Sequence, residues 1–149
     1  MRQRRVRAYV GLLYAACLRP AEGLHLTRED ITFNSDGMIV SIAKDKTNKK
    51  GSPRSIPVLG GTSPVCPVQV LKEWLQIAPD SPFVFPKFSD PKNPMPYDSA
   101  RGDWKKLASI LGISKMISLH SFRGGAATQA IKDGAPLDEV MRFGRWRQH

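Results

Sequence analysis

Apolar residues recur at helical spacing near the start of the chain. The recurrence predicts an amphipathic helix from Val6 to Leu18. Pro20 then predicts a second, short helix with the sequence PAEGLHL, because proline is tolerated in a first helical turn. The two predicted helices meet at Arg19. The apolar stripe of the first helix consists of Val6, Val10, Leu13 and Cys17.

Three short segments rich in β-branched and apolar residues predict strands. They are ITF, MIVSIA and RSIPVL, at positions 31–33, 38–43 and 54–59. The last two flank KDKTNKKGSP, whose asparagine, glycine and proline are typical of a turn, so they predict a hairpin tipped with lysine. The proline-rich stretch 79–96 contains FVF and predicts a loop with one short extended segment.

Helical patterns occupy most of the remaining chain. One helix is predicted from Pro67 to Ile77, and a second begins with Asp98 as N-cap and ends at Leu111 before Gly112. Two more are predicted from about His120 to Asp133 and from Pro136 to Phe143, each ending at a glycine. We therefore predict one α+β domain over residues 1–149, mostly α, with one small antiparallel sheet.

The charge balance narrows the class of partner. The chain has 23 Lys and Arg against 13 Asp and Glu, a formal net charge of +10. Such an excess favours nucleic acid, because each neutralised phosphate releases condensed counterions. A generally basic, solvated surface is the alternative that charge alone leaves open.

The cysteines and the hydropathy exclude several classes. Cys17 and Cys66 form no CxxC motif and have no local histidine partner, so neither a zinc site nor a disulfide framework is predicted. We expect a reduced, intracellular compartment. No apolar run approaches the roughly 20 residues of a membrane span. Because the run KDKTNKKGSPR is also compatible with a nuclear signal, nucleus and cytoplasm are not separated.

Two places in the sequence carry basic residues at a spacing that suits phosphate binding. Arg19 lies in the apolar context LRPAEG, where an unpaired guanidinium is costly. It either forms a helical salt bridge with Glu22 or binds a phosphate with Glu22 holding it in place. His120 and Arg123 share one face at a helix N-terminus, where they are either exposed polar residues or a second phosphate site.

These motifs, in this order, resemble the catalytic domain of the tyrosine recombinases, the phage integrase family. The resemblance covers nearly the whole chain. Its first motif is matched by Arg19, Glu22, Leu26, Asp30 and Ile31. Its second is matched by His120, Arg123, Gly124, Gly125, Ala126 and Ala127, and its third by Gly134 and by Trp146 in GRW, the tryptophan form found in Cre-like recombinases.

The resemblance implies metal-free DNA breaking and rejoining, without a cofactor. A tyrosine attacks a phosphodiester, forms a 3′-phosphotyrosyl bond and releases a 5′-hydroxyl. Arg19 and Arg123 would clamp the phosphate oxygens, because guanidinium groups stay protonated and bind them in bidentate fashion. His120 would accept or share a proton, and Trp146 would donate its indole N–H. Type IB topoisomerases share this chemistry, but the Gly-x-Trp ending favours recombinases.

The family also places a lysine on the hairpin to protonate the leaving 5′-oxygen. Lys46 precedes a threonine as in the common form and is preferred, while Lys44 matches the spacing of other members. Lys49, Lys50 and Arg54 are expected to contact DNA phosphates or to form a solvated loop.

One residue of the family pattern has no match in this sequence. The nucleophilic tyrosine follows the Trp146 position in the family, whereas the tyrosines of this chain are Tyr9, Tyr14 and Tyr97. We therefore expect a catalytic domain truncated before its nucleophile and without the family's N-terminal helical domain, inactive alone. The function implied is DNA integration or site-specific recombination in a mobile element. The alternative is a non-catalytic domain, derived from a recombinase, that binds double-stranded DNA. From the resemblance we also expect a homo-oligomer on DNA, and a monomer for this chain alone.

Overall fold

A long helix, α1 (Arg2–Ala15), is central to the fold. The computed structural model describes residues 1–42, 54–61, 66–113 and 117–122. Helix α1 begins before the predicted Val6, because the polar residues ahead of it are good helix formers. It ends earlier than predicted, since Cys17 takes a left-handed conformation with φ 56°. Burial extends beyond the predicted stripe and includes Arg5, Val6, Ala8, Tyr9, Leu12 and Leu13.

The short helix α2 (Pro20–Leu24) packs closely on α1. A Cβ atom added at Gly23 would lie 2.9 Å from Leu13 Cδ2 and 2.9 Å from Tyr9 Cε1. This approach requires glycine, and it fixes the chain that joins the two helices. The predicted helix beginning at Pro20 is confirmed.

A three-stranded antiparallel sheet follows, in the order β1 (Ile31–Phe33), β2 (Gly37–Ile42) and β3 (Arg54–Leu59). Ile31 pairs with Val40, and Val40 pairs with Ile56. The predicted bounds of β1 and β3 are confirmed, and β2 begins one residue earlier than predicted. Alternation buries Val40, Ile42, Ile56 and Val58 on one face.

Helix α3 (Pro67–Ile77) has the predicted bounds. Its buried face contains Val68, Leu71 and Trp74. The Trp74 indole N–H donates to the Val84 carbonyl at 2.8 Å, which holds the proline-rich stretch against the helix.

That stretch contains a second, two-stranded sheet that the sequence pattern did not predict. It consists of β4 (Pro86–Lys87) and β5 (Asp90–Pro94), which pair antiparallel. Prolines cannot donate to a ladder and few residues here are β-formers, so local composition indicated a loop. A distant residue helps to hold the sheet instead, because an Arg5 guanidinium N–H donates to the Pro86 carbonyl at 2.8 Å.

Helix α4 (Tyr97–Leu111) closes the described core. Its N-cap is Pro96, so the prediction of Asp98 as N-cap is wrong; Asp98 lies in the first turn, where a carboxylate favours the helix dipole. Gly112 ends the helix as predicted, with φ 70°. The buried residues of α4 are Ala100, Asp103, Trp104, Leu107 and Ala108.

Candidate functional site

The backbone around Arg19 is held by three hydrogen bonds. The Arg19 N–H donates to the Glu22 carboxylate at 2.8 Å, and the Arg19 carbonyl accepts from the Gly23 N–H at 3.2 Å. The buried phenol of Tyr9 donates to the Pro20 carbonyl at 2.8 Å. The start of α2 is therefore tied both to itself and to α1.

The Arg19 side chain is half-buried and is not used in this local scaffold. Among the residues the structure describes, its guanidinium forms no ion pair, and the salt bridge with Glu22 that the spacing allows is not formed. Glu22 accepts the Arg19 backbone N–H instead. Glu22 therefore positions Arg19 through the main chain.

Burial also fixes the protonation of the phenol below this junction. Desolvation raises the pKa of Tyr9, and the nearby Tyr97 raises it further. Tyr9 consequently remains a hydrogen-bond donor to Pro20 at neutral and moderately alkaline pH.

His120 is exposed at the start of a helical segment. The Ser121 hydroxyl accepts the Ser118 N–H at 3.0 Å, and the Ser121 N–H donates to the Ser118 carbonyl at 3.0 Å, an arrangement similar to a capping box. Residues 121 and 122 are helical, in line with the predicted helix, and the rest of that helix lies outside the described residues.

The segment that presents His120 is anchored to α4. The Trp104 indole N–H donates to the Ile117 carbonyl at 2.9 Å. Phe122 packs edge-on against the Trp104 ring, with 4.9 Å between centroids, and Leu119 is buried in the core. An exposed His120 is thus mounted on a fixed backbone.

A cleft with a volume of about 510 Å³ lies beside the start of α2. Pro20, the neighbour of Arg19, lies in its wall together with His120. The wall is otherwise mostly apolar. Its residues are Pro20, Ala21, Leu24, His25, Pro94, Met95, Pro96, Tyr97 and His120.

Two residues of this cleft with polar rings, His25 and Tyr97, are not among the site residues predicted from the sequence. His25 lies at the end of α2, with Nδ1 2.8 Å from the Ala21 carbonyl oxygen. Tyr97 precedes the predicted N-cap at Asp98, but it is the first residue of α4, and its ring centroid is 6.4 Å from that of His120. The proline-rich sequence around Tyr97 gave no signal of this contact, whereas the one-turn spacing of His25 from Glu22 could have indicated a residue near Arg19.

The remaining predicted site residues are only partly described. Arg54 is half-buried at the first position of β3, where it pairs with Ile42 next to the predicted lysine-tipped turn. The others lie outside the described residues: Lys44, Lys46, Lys49, Lys50, Arg123 and Trp146.

The described part of the chain contains no cluster of three or more His, Cys, Asp or Glu side chains suited to a metal ion. Within the same ranges, none of the helices has the length and apolar character needed to cross a membrane.

Solved structures confirm the fold. The XerA recombinase aligns with a TM-score of 0.76 at 18% identity, covering 97% of this chain and 49% of that one. The XerH site-specific recombinase bound to its difH substrate, in a pre-cleavage complex, aligns with a TM-score of 0.74 at 16% identity, covering 94% and 39%. The Tn1549 transposon integrase, in complex with transposon right end DNA, gives 0.72 at 15% identity, covering 92% and 49%.

Sequence comparison gives the family. An integrase/recombinase XerD homolog of Selenomonas ruminantium is 28% identical over 145 residues, which is 93% of this chain and 42% of the relative. The chain therefore spans less than half the length of this curated relative. A sequence model of the phage integrase family matches residues 2–149. The predicted resemblance is confirmed, and the chain belongs to the phage integrase family.

Proposed function

We propose that residues 1–149 are the phosphate-binding part of the catalytic domain of a tyrosine recombinase that breaks and rejoins double-stranded DNA. The observation that carries the proposal is the Arg19 junction. Glu22 and Tyr9 hold the backbone at Arg19 and Pro20, and Pro20 lies in the wall of the cleft that contains His120. Family membership and the net charge of +10 support a DNA partner.

Each residue has a role that follows from its chemistry. Arg19 and Arg123 bind the non-bridging oxygens of the scissile phosphate, where negative charge develops in the transition state. His120 exchanges a proton with the reacting oxygens, and Trp146 donates a hydrogen bond from its indole. Lys46, or Lys44, protonates the leaving 5′-oxygen.

The basic hairpin extends the contact beyond the scissile phosphate. Lys49, Lys50 and Arg54 neutralise neighbouring backbone phosphates without reading bases. The protein acts inside the cell, where its DNA is. It is monomeric alone and assembles on DNA.

The covalent step needs a tyrosine at the position that follows Trp146 in the family. The tyrosine oxygen attacks the phosphorus, the 5′-oxygen leaves with a proton from the hairpin lysine, and a 3′-phosphotyrosyl bond remains. Residues 1–149 do not supply that tyrosine, since theirs are Tyr9, Tyr14 and Tyr97. The chain is therefore expected to bind the phosphodiester and to react only when a tyrosine is added in cis or in trans.

Duplex binding by the Arg19→Ala variant tests the proposal. Fluorescence anisotropy with a short duplex should show affinity that falls steeply with salt. Arg19→Ala should weaken binding roughly 10- to 100-fold, the range expected when a charge-assisted hydrogen-bond pair is lost. Arg7→Ala removes the same charge from an exposed position of α1 and is the matched control, with a change of less than about threefold.

Equal losses in Arg19→Ala and Arg7→Ala would show that binding is diffuse and that Arg19 has no special role. A second assay concerns cleavage. The chain extended by its native downstream residues should form a gel-stable adduct with a nicked duplex, whereas residues 1–149 alone should not. If the extended protein binds the duplex but forms no adduct, the proposed recombinase function is wrong and a DNA-binding function takes its place.

A further inference from the structure

A second pocket lies on the other side of Pro96 from the cleft that contains His120. It has a volume of about 330 Å³, at the lower end of the roughly 300–1,000 Å³ typical of small-ligand sites. We name it the α1–α4 pocket, because the N-terminal parts of α1 and α4 form much of its wall. Its residues are Arg2, Arg5, Lys87, Phe88, Ser89, Pro96, Asp98, Ser99, Gly102, Asp103 and Lys106. Pro96 is the residue that the two walls share.

Arg5 forms the buried part of this wall. Its guanidinium donates to the Asp103 carboxylate at 3.0 Å and to the Pro86 carbonyl at 2.8 Å, and it lies 3.9 Å from the centroid of the Phe88 ring. The side chain is only 3% exposed. Among the described residues its Nε–H has no acceptor. Arg5 is therefore a fixed, buried cation in the wall, held by its protein partners.

The charges around Arg5 are not balanced. Asp103 is already paired with Arg5, so Asp98 is the other carboxylate of the wall. Against it stand Arg2, Lys87 and Lys106. Burial lowers the pKa of Arg5, the hydrogen bond and the charge of Asp103 act in the opposite direction, and the like charge of Arg2 lowers it further. Among the described residues of the wall, positive charges therefore outnumber negative ones around the buried guanidinium.

Neutral donors complete the pocket. The hydroxyl groups of Ser89 and Ser99 belong to its wall. Ser99 also lies in the first turn of α4, where backbone N–H groups and the helix dipole favour a negative charge. The same wall therefore presents cationic groups, hydroxyl donors and a helix N-terminus.

We propose that the α1–α4 pocket binds a phosphate-sized oxyanion, contacted by Arg2, Lys87 and Lys106. The oxyanion is either free phosphate or a phosphate of the DNA backbone. The site is separate from the scissile phosphate that Arg19 and His120 would hold, so it can be occupied at the same time.

Titration of the isotope-labelled protein with inorganic phosphate at constant ionic strength tests the site. Saturable NMR shifts should appear at Ser89, Ser99 and Gly102, with a dissociation constant on the order of millimolar. Lys106→Gln should raise that constant at least about fivefold. Lys105→Gln is the matched control, because Lys105 is an exposed neighbour on α4 outside the wall, and it should leave the constant within about twofold.

Three results would overturn the site. One is the absence of saturable shifts at these residues up to about 50 mM phosphate. Another is equal weakening by Lys106→Gln and Lys105→Gln, which indicates a diffuse ion atmosphere. The third is a set of shifts centred on His120 that Arg19→Ala abolishes, which assigns the anion to the cleft.

Duplex binding identifies the source of the oxyanion. If the phosphate belongs to DNA, Lys106→Gln also weakens duplex binding and reduces the slope of log affinity against log salt by about one. If Lys106→Gln weakens phosphate binding and leaves duplex binding unchanged, the ligand is a free oxyanion. Because Arg19 is intact in this variant, neither result depends on the proposed recombinase chemistry.

Discussion

Arg5 and Arg19 lie near opposite ends of α1 and use the same side chain in different ways. Arg5 is buried, and its terminal nitrogens are bound to Asp103 and to the Pro86 carbonyl. Arg19 is half-buried, and its backbone, not its guanidinium, is bound by Glu22. Arg5 links α1 to the second sheet and to α4, whereas Arg19 is held in place with its charged head uncommitted among the described residues.

The difference between Arg5 and Arg19 separates two uses of an arginine in a basic protein. Burying a charge is tolerated when a partner charge and hydrogen bonds accompany it, and the result is a structural link. When only the backbone of an arginine is fixed, its guanidinium pays little desolvation free energy. The side chain then starts from a fixed position from which it can bind an external anion. The net charge of +10 therefore includes Arg5, which links elements of the fold, and the hydrogen bonds of the described residues distinguish it from Arg19, which we propose binds phosphate.

The largest expected effect is the loss of the structural arginine. Arg5→Met leaves the Asp103 carboxylate buried without its partner, so the free energy of unfolding should fall by roughly 3–5 kcal/mol in urea titrations. Arg19→Met should change it by less than about 1 kcal/mol. Replacing both charges, in Arg5→Met with Asp103→Leu, should cost less than Arg5→Met alone. Similar losses in the two single arginine variants would remove the distinction between them.

A smaller effect is expected at the contact that holds α2 on α1. In Gly23→Ala the new Cβ meets Leu13 and Tyr9 at 2.9 Å, so overpacking should lower the free energy of unfolding by about 1–3 kcal/mol. Gly11→Ala is the matched control within α1, since its Cβ meets nothing within 4 Å. It should raise stability by about 0.5–1 kcal/mol through helix propensity. If Gly23→Ala were also stabilising, α2 would not be held as the structure indicates.

The sequence predicted a special role for one of the two arginines, Arg19, but not for Arg5. The apolar context of Arg19 and its spacing to Glu22 indicated a special site, and the motif order gave the family. Arg5 was not singled out, because its partner Asp103 is distant in sequence and lies on another helix. Spacing rules find partners within a helix or turn, and a long-range pair becomes visible only after folding.

The same limit explains which elements were predicted well. Periodicity and end signals gave the bounds of α3 and the left-handed stop at Gly112, since both are local. The sheet of β4 and β5, which Arg5 contacts at Pro86, and the approach of Tyr97 to His120 involve residues distant in sequence. In the candidate site, the sequence predicted Arg19 and His120 as functional residues but did not predict the other residues of the cleft wall.

The smallest effect concerns the hydrogen bond below Arg19. Tyr9→Phe removes the donor to the Pro20 carbonyl and should lower the free energy of unfolding at neutral pH by about 0.5–1.5 kcal/mol. Tyr14→Phe removes an exposed phenol from the same helix and should have little effect at that pH.

The pH dependence of this effect has a defined sign. Burial raises the pKa of Tyr9 in the folded protein, whereas the unfolded phenol ionises near pH 10. The stabilisation is complete below that pH and falls as pH rises toward the folded pKa, by up to about 1.4 kcal/mol per pH unit. Unfolding curves between about pH 9 and 11 should therefore show a shallower decline for Tyr9→Phe than for the parent chain. Parallel declines would mean that the Tyr9 phenol ionises without disturbing the fold, and the junction at Arg19 would then depend on Glu22 and Gly23 alone.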